Sequence, residues 1–331
     1  MHHPNRHALA DHVGTVTAFR NPLVRQRADP WICLHEGWYY FTGTVPEYDR
    51  IELRRARTID DLGAAPPTVL WRRHAQGAMG AHIWAPELHR IDGTWFIYFT
   101  AGRAEDPWHL RPYILECAAD DPLGGEWVER GRLETGHDAY ALDANTFAHA
   151  GRLYLVWAER PSECDKGTSI YIAPMAGPLA LAGPAVMLSR PEHPWEKPGD
   201  YINEGPAAIV RHGRVFITYS AGAIDASYCM GMLHAPDDAD LLDAASWTKS
   251  PEPVFRSSRE TGQWGPGHNA FTTTPDGMTD VLVYHARDYC AVEGDPLCDP
   301  NRHARAQAFG WDADGMPDFG VPVPDAAGVR G

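Results

Sequence analysis

An acidic residue recurs at near-fixed intervals along the chain, each time at the head of a strand–turn–strand pattern. It is Asp29 in ADPWI, Glu87 in WAPEL, Asp143 in LDANTF and Glu204 in NEGPA; a fifth copy, GPGHNAF, carries His268 in that place. The spacings are 58, 56, 61 and 64 residues. A strand-built repeat of that length is the mark of a radial array, in which each copy is one blade of a propeller. Equivalent positions in the blades converge on one axis. The repeat therefore predicts carboxyl groups gathered at one end of a central channel.

The rest of each copy fits the same unit. The second strands read WYYFTG, TWFIYFTAG, RLYLVWAE, RVFITYSAG and DVLVYHA. They are rich in aromatic and β-branched residues, which suit a packed, pleated surface. Gly and Asp occupy the turns before them, as hairpins require. A third strand and a turn follow, and then a fourth strand, such as TVLW (68–71) or EWVERG (126–131). The expectation is an all-β, five-bladed β-propeller with four antiparallel strands per blade. Long helical periodicity is nearly absent, and ADLLDAASW suits one short helical turn. The predicted boundaries are an N-terminal arm (1–17), a propeller (18–325) and a tail (326–331). Part of that arm is expected to pair with the last blade and close the ring.

Charge and cysteine usage exclude several functions. The net charge of −15 repels phosphate backbones, so nucleic acid is not an expected partner. Neutral small molecules or neutral polymers fit better. No run of about 18 apolar residues is present, so no membrane partner is expected. The first residues, MHHPNRHALADHVG, lack the apolar stretch of a secretory leader, and the expectation is a cytoplasmic protein. The six cysteines form no CxxC pair; Cys290 and Cys298 are close enough in sequence to cross-link across a loop, and in a cytoplasmic protein the expectation is free thiols.

Carboxylates crowded at an axis repel one another, and burial with mutual repulsion raises at least one pKa. Glycoside hydrolysis needs one protonated carboxyl group as acid and one ionised carboxylate as base or nucleophile. Here the motifs resemble glycoside hydrolase family 43. ADPWI, HIWAPELH, LDANTF, NEGPA and GPGHNAF fit it in order, over roughly residues 18–322, and ADLLDAASWTKSPEPVF is similar to a segment of its exo-acting α-L-arabinofuranosidases. The resemblance implies an inverting hydrolase with Asp29 as general base, Glu204 as general acid and Asp143 as the residue that orients the acid and raises its pKa. The implied substrate is arabinan or an arabino- or xylo-oligosaccharide, and the implied product is terminal α-L-arabinofuranose.

Other residues have two readings. Trp84 is either a platform for a sugar face or a core residue between blades, and Glu87 is read as structural. His268 is either satisfied by hydrogen bonds or placed beside a cation, with calcium implied by the resemblance; the chemistry itself requires no cofactor. Arg305 is either a donor to sugar hydroxyls or a solvated edge residue. His285, Tyr201 and Asn203 are further candidates for the site lining. A β-xylosidase of the same family is the nearest alternative function, and a non-catalytic carbohydrate-binding propeller is the alternative of another class.

Overall fold

The structure, a computed structural model, describes residues 18–326. The arm at 1–17 and the tail from 327 lie outside the described residues. Five antiparallel sheets follow one another along the chain as the blades of a five-bladed propeller. The first blade is β1 (Ala28–His35), β2 (Trp38–Thr44), β3 (Arg50–Ala56) and β4 (Thr68–Arg72). The second is β5 (Ala81–Ile91), β6 (Thr94–Gly102), β7 (Arg111–Cys117) and β8 (Val128–Arg132). The third is β9 (Ala141–His149), β10 (Arg152–Glu159) and β11 (Ser169–Gly177), and its outer place is shared by β12 (Ala180–Leu181) and β13 (Val186–Ser189). The fourth is β14 (Asn203–Arg211), β15 (Arg214–Ala221), β16 (Cys229–Pro236) and β17 (Thr248–Lys249). The fifth is β18 (Trp264–Thr273), β19 (Asp280–Arg287), β20 (His303–Trp311) and β21 (Pro317–Asp318). The expected helical turn is a 3-10 turn at Ala244–Ser246.

The five apolar clusters of the core coincide with the five blade interfaces. Successive side chains of a strand point to opposite faces, and here both faces are covered. On β6, Trp95, Ile97 and Phe99 pack toward the first blade, while Phe96 and Tyr98 pack toward the third. On β15, Val215, Ile217 and Tyr219 face the third blade and Phe216 faces the fifth. Burial on both faces explains why these strands are nearly continuous apolar runs instead of alternating ones.

The ring closes at the outer edge of β20. β21 pairs with that strand only at Gly310 and Trp311, which leaves its earlier part for another partner. Leu23 N–H donates to Ala304 O (2.8 Å), and Ala304 N–H donates to Val24 O (2.9 Å). Asn21 continues the pairing with its side chain. Its Nδ2 donates to Ala306 O (2.8 Å), and its Oδ1 accepts from Ala306 N–H (2.9 Å). Leu23 and Val24 are buried in the cluster between the fifth and first blades.

Replacing Asn21 with Ala removes both partners of a buried peptide group at this closure. Each group left unpaired costs about 1–3 kcal/mol. Denaturant unfolding of Asn21→Ala should show a loss of stability of that order, and an unchanged midpoint would contradict the closure.

Candidate active site

Each inner strand opens on a β-bulge, where one residue takes the left-handed conformation. These residues are Asp29 (φ 50°), Ala85 (44°), Asp143 (57°), Gly205 (54°) and His268 (43°). Register shifts in strand pairing accompany all five. A bulge re-aims side chains and ends regular pairing, as often happens beside functional sites. The structural repeat therefore runs through Ala85 and Gly205. Glu87 stands two residues after its bulge, and Glu204 stands one residue before its own.

The bulges are held by their neighbours. Ala85 N–H donates to Thr44 Oγ1 (2.7 Å), Asp143 N–H to Thr100 Oγ1 (3.0 Å) and His268 N–H to Ser220 Oγ (2.7 Å). Asp29 N–H donates to His285 Nδ1 (3.1 Å). In these four cases the acceptor lies on the second strand of the preceding blade. The third blade reads VWAE where the first reads FTGT and the second, fourth and fifth read FTAG, YSAG and VYHA. Gly205 N–H instead donates to Asp143 Oδ2 (2.9 Å). That departure ties Asp143 to the backbone next to Glu204. Gly205 is glycine for a second reason: a Cβ there would lie 3.0 Å from the His268 ring.

Asp29, Trp84, Asp143, Glu204 and His268 line one cleft of about 530 Å³. The three carboxyl groups sit in different surroundings. Burial opposes ionisation of Asp29. His268 (3.3 Å) and Arg302 (3.6 Å) near Oδ1, with the Thr44 hydroxyl donating to Oδ2 (2.6 Å), outweigh it and hold Asp29 at about 2. His285 Nδ1 accepts the Asp29 N–H, so its ring proton sits on Nε2. Burial drives His285 far toward the neutral form, so its contact with Asp29 is not an ion pair.

Asp143 and Glu204 shift the other way. Burial, and then the charge of Glu204, pushes Asp143 well above the usual carboxylate range. Burial and the Asp29 charge push Glu204 up to about 7, against the pull of the Tyr228 hydroxyl and Arg302. The two carboxyls together retain a proton that neither would hold in water.

The remaining candidates fall in other places. Trp84 lines the cleft while largely buried, stacked on His82 (4.4 Å, 18°) with Trp108 edge-on at 5.9 Å. Glu87 is buried away from the cleft lining. It accepts from Asn145 Nδ2 (2.8 Å) and lies 3.0 Å from His89 Nε2. His285 does not line the cleft and supports Asp29 from behind. Asn203 is fully buried, bonded to Ser189 Oγ (2.7 Å) and Glu196 Oε1 (3.0 Å). Tyr201 is 44% exposed on the neighbouring surface, with Lys166 Nζ 4.4 Å over its ring.

Arg305 is neither a site donor nor a solvated edge residue. It is fully buried and paired with Asp325 at 3.0 and 3.1 Å. Arg302, three residues earlier, reaches the cleft beside Asp29, and also donates to Tyr48 Oη (3.1 Å); Arg160 is a second arginine in the cleft lining. The position of Arg302 just before β20 left no strand pattern to mark it. Thr44 was missed because it reads as a core residue at the end of its strand, and Tyr228 because it sits in the turn just before β16, where no pattern marks it.

The donor set at His268 does not fit a cation held by protein side chains. One carboxylate, that of Asp29, faces Nδ1, and the Arg302 guanidinium stands against the same oxygen. Among the described residues no group of three or more His, Cys, Asp or Glu converges in ligand geometry. All six cysteines are free thiols.

Known proteins share this layout. The sequence model of glycosyl hydrolases family 43 matches residues 19–317. An extracellular exo-alpha-(1->5)-L-arabinofuranosidase of Streptomyces avermitilis is 54% identical over 96% of this chain and 66% of its own length. A protein of the same name from Streptomyces chartreusis is 52% identical over 84% of this chain and 85% of its own. The crystal structure of an alpha-L-arabinofuranosidase from Lactobacillus brevis superposes with a TM-score of 0.90 at 50% identity, covering 93% of this chain and 98% of that one. The chain spans slightly less than two thirds of the first curated relatives, 66% for Streptomyces avermitilis and 64% for an arabinofuranosidase of Humicola insolens. The Streptomyces relatives are named extracellular, and this overturns the cytoplasmic expectation. That expectation rested only on the composition of the first residues. A family match spanning five blades, with identity near one half in relatives from bacteria and a fungus, places this chain in glycosyl hydrolase family 43.

Proposed function

We propose that the protein is an exo-acting α-L-arabinofuranosidase that hydrolyses with inversion, releasing terminal α-L-arabinofuranose from arabinan or arabino-oligosaccharides. The observation that carries the reading is the opposite proton affinity of two carboxyl groups lining one cleft. Asp29 is held at about 2 and Glu204 at about 7. Two carboxyls whose surroundings push them apart divide into a base and an acid. The printed names of the similar proteins support the sugar, and the word extracellular in two of them supports action outside the cell.

In this reading Asp29 stays ionised and accepts a proton from the attacking water. Glu204 enters the reaction protonated and donates to the glycosidic oxygen as that bond breaks. Asp143 accepts the Gly205 N–H and so fixes the backbone beside Glu204, orienting the acid, while burial and the Asp29 charge keep the Glu204 proton available. Arg302 balances the charge beside Asp29 without passing a proton. The cleft wall that includes Trp84 and Trp108 supplies aromatic surface for a sugar ring.

Asp29→Asn and Glu204→Gln should each lower kcat on an arabino-oligosaccharide by about 10²–10⁴. Release of 4-nitrophenol from the α-L-arabinofuranoside and the β-D-xylopyranoside compares the two candidate sugars. Wild type inactive on both would sink the reading, as would full activity in both variants. Proton NMR of the first-formed sugar should show the β anomer.

The acid must be protonated to act, so kcat/KM should fall as pH rises through about 7, the value for Glu204. The acid limb, set by Asp29 at about 2, should lie far below it. A pH–rate profile flat from 6 to 9 would contradict this. The same shift affects stability. A carboxyl whose folded pKa is raised destabilises the fold as pH climbs from its unfolded value toward the folded one. Thermal unfolding of Glu204→Gln should therefore show a higher midpoint than wild type at pH 8 and convergence at pH 4. An identical difference at both would count against the raised pKa.

A further inference from the structure

Tyr228, near the start of β16, is engaged by the groups around Asp29 and Glu204, although no role has yet been given to it. Its hydroxyl donates to Glu204 Oε1 at 2.8 Å. The side chain is buried, 3% exposed. On one side the ring lies parallel to His285, with centroids 5.6 Å apart and planes at 12°. On another it fills the space over Gly267, where a Cβ would fall 2.4 Å from Tyr228 Cε1. Glycine at 267 is thus the condition for the ring to sit where it does. The same His285 accepts the Asp29 N–H, so the supports of the two carboxyls form one packed unit.

Glu204 is half-buried and lines the cleft, and its second oxygen, Oε2, receives no hydrogen bond from a described residue. We propose that Tyr228 is a positioning residue: by occupying Oε1 as a donor, it leaves Oε2 as the oxygen that carries and delivers the proton. The inference rests on the reading of Glu204 as general acid. A phenol held in this way stays protonated, because burial and the neighbouring carboxylates oppose its ionisation. The direction of its effect on Glu204 is fixed by chemistry. A donor favours the ionised carboxylate, so its loss makes Glu204 hold its proton to higher pH. The other charged and titratable groups around Glu204 are Asp29, Asp143, Arg302, Tyr140 and His268, whose ring packs against Gly205, and Arg160, Lys166, Asp200 and Asp295 line the same cleft; a conservative change at Tyr228 leaves all of them in place.

Tyr228→Phe keeps the ring and its packing and removes only the donor. Two substrates separate positioning from simple damage. A 4-nitrophenolate leaving group departs without a proton, whereas a sugar leaving group needs one. On an arabino-oligosaccharide the variant should lose about tenfold in kcat, with KM little changed. On 4-nitrophenyl α-L-arabinofuranoside the loss should stay below about twofold, which also reports intact folding. The alkaline limb of kcat/KM should move to higher pH. Equal losses on both substrates, no loss on either, or an alkaline limb that stays or moves down would overturn the proposal. A wild type inactive on both substrates would overturn the general-acid reading itself, an outcome distinct from a failure of the variant alone.

Discussion

The structure depends on how the blades hold one another at the axis. At the head of each inner strand one residue adopts the left-handed conformation, which a side chain with a β-carbon disfavours. Asp29, Ala85, Asp143 and His268 stay there because a side chain of the adjoining blade accepts the N–H that the bulge exposes. The blades are thus locked in rotation as well as packed face to face. Side chains released from regular pairing by a bulge point toward the end of the channel, and the carboxyl groups come together there.

One departure from this pattern ties two of the carboxyl-bearing strands together. The third blade offers no hydroxyl or imidazole acceptor, and the fourth bulge N–H turns to Asp143. A residue that would otherwise only project into the cleft becomes coupled to the backbone beside Glu204. The electrostatics follow from the surroundings. Asp29 stands beside the Arg302 guanidinium, the His268 ring and the Thr44 hydroxyl, and its charge is favoured. Burial, with the charges of Glu204 and Asp29, raises Asp143, and burial with the Asp29 charge raises Glu204, so their protons are retained. Three carboxyl groups of ordinary intrinsic acidity therefore separate into ionised and protonated forms within one cleft. A chain of net charge −15 achieves this with a single guanidinium, that of Arg302, beside Asp29.

The blades were readable because each interface buries both faces of its strands. That demand leaves long aromatic and β-branched runs between Gly- and Asp-containing turns. The alignment of the repeat was less readable. A bulge adds a residue without changing composition, so Glu87 and Glu204 looked equivalent to Asp29 while standing out of step with it. Arg305 illustrates a different failure. Within ARAQAF it had the composition of a strand residue facing a site, yet the strand carries it into the core, where the Asp325 carboxylate neutralises it. Arg302 lies in the segment leading into that strand, and only the path of the chain brings it back to the axis. Asn203 sits beside Glu204 in sequence but faces the opposite way, toward Ser189 and Glu196. Adjacent residues on a strand point to opposite sides.

The sequence by itself determined the architecture and the identity of the three carboxyl groups that meet. Repeat length, strand composition and turn residues are local properties, and a propeller is a sum of local units. Tertiary structure alone decided what those carboxyls can do. Proton affinity depends on which charges, donors and apolar walls lie within a few ångströms. Those neighbours come from positions as far apart as Thr44, Tyr228 and Arg302, and only the closed ring brings them together.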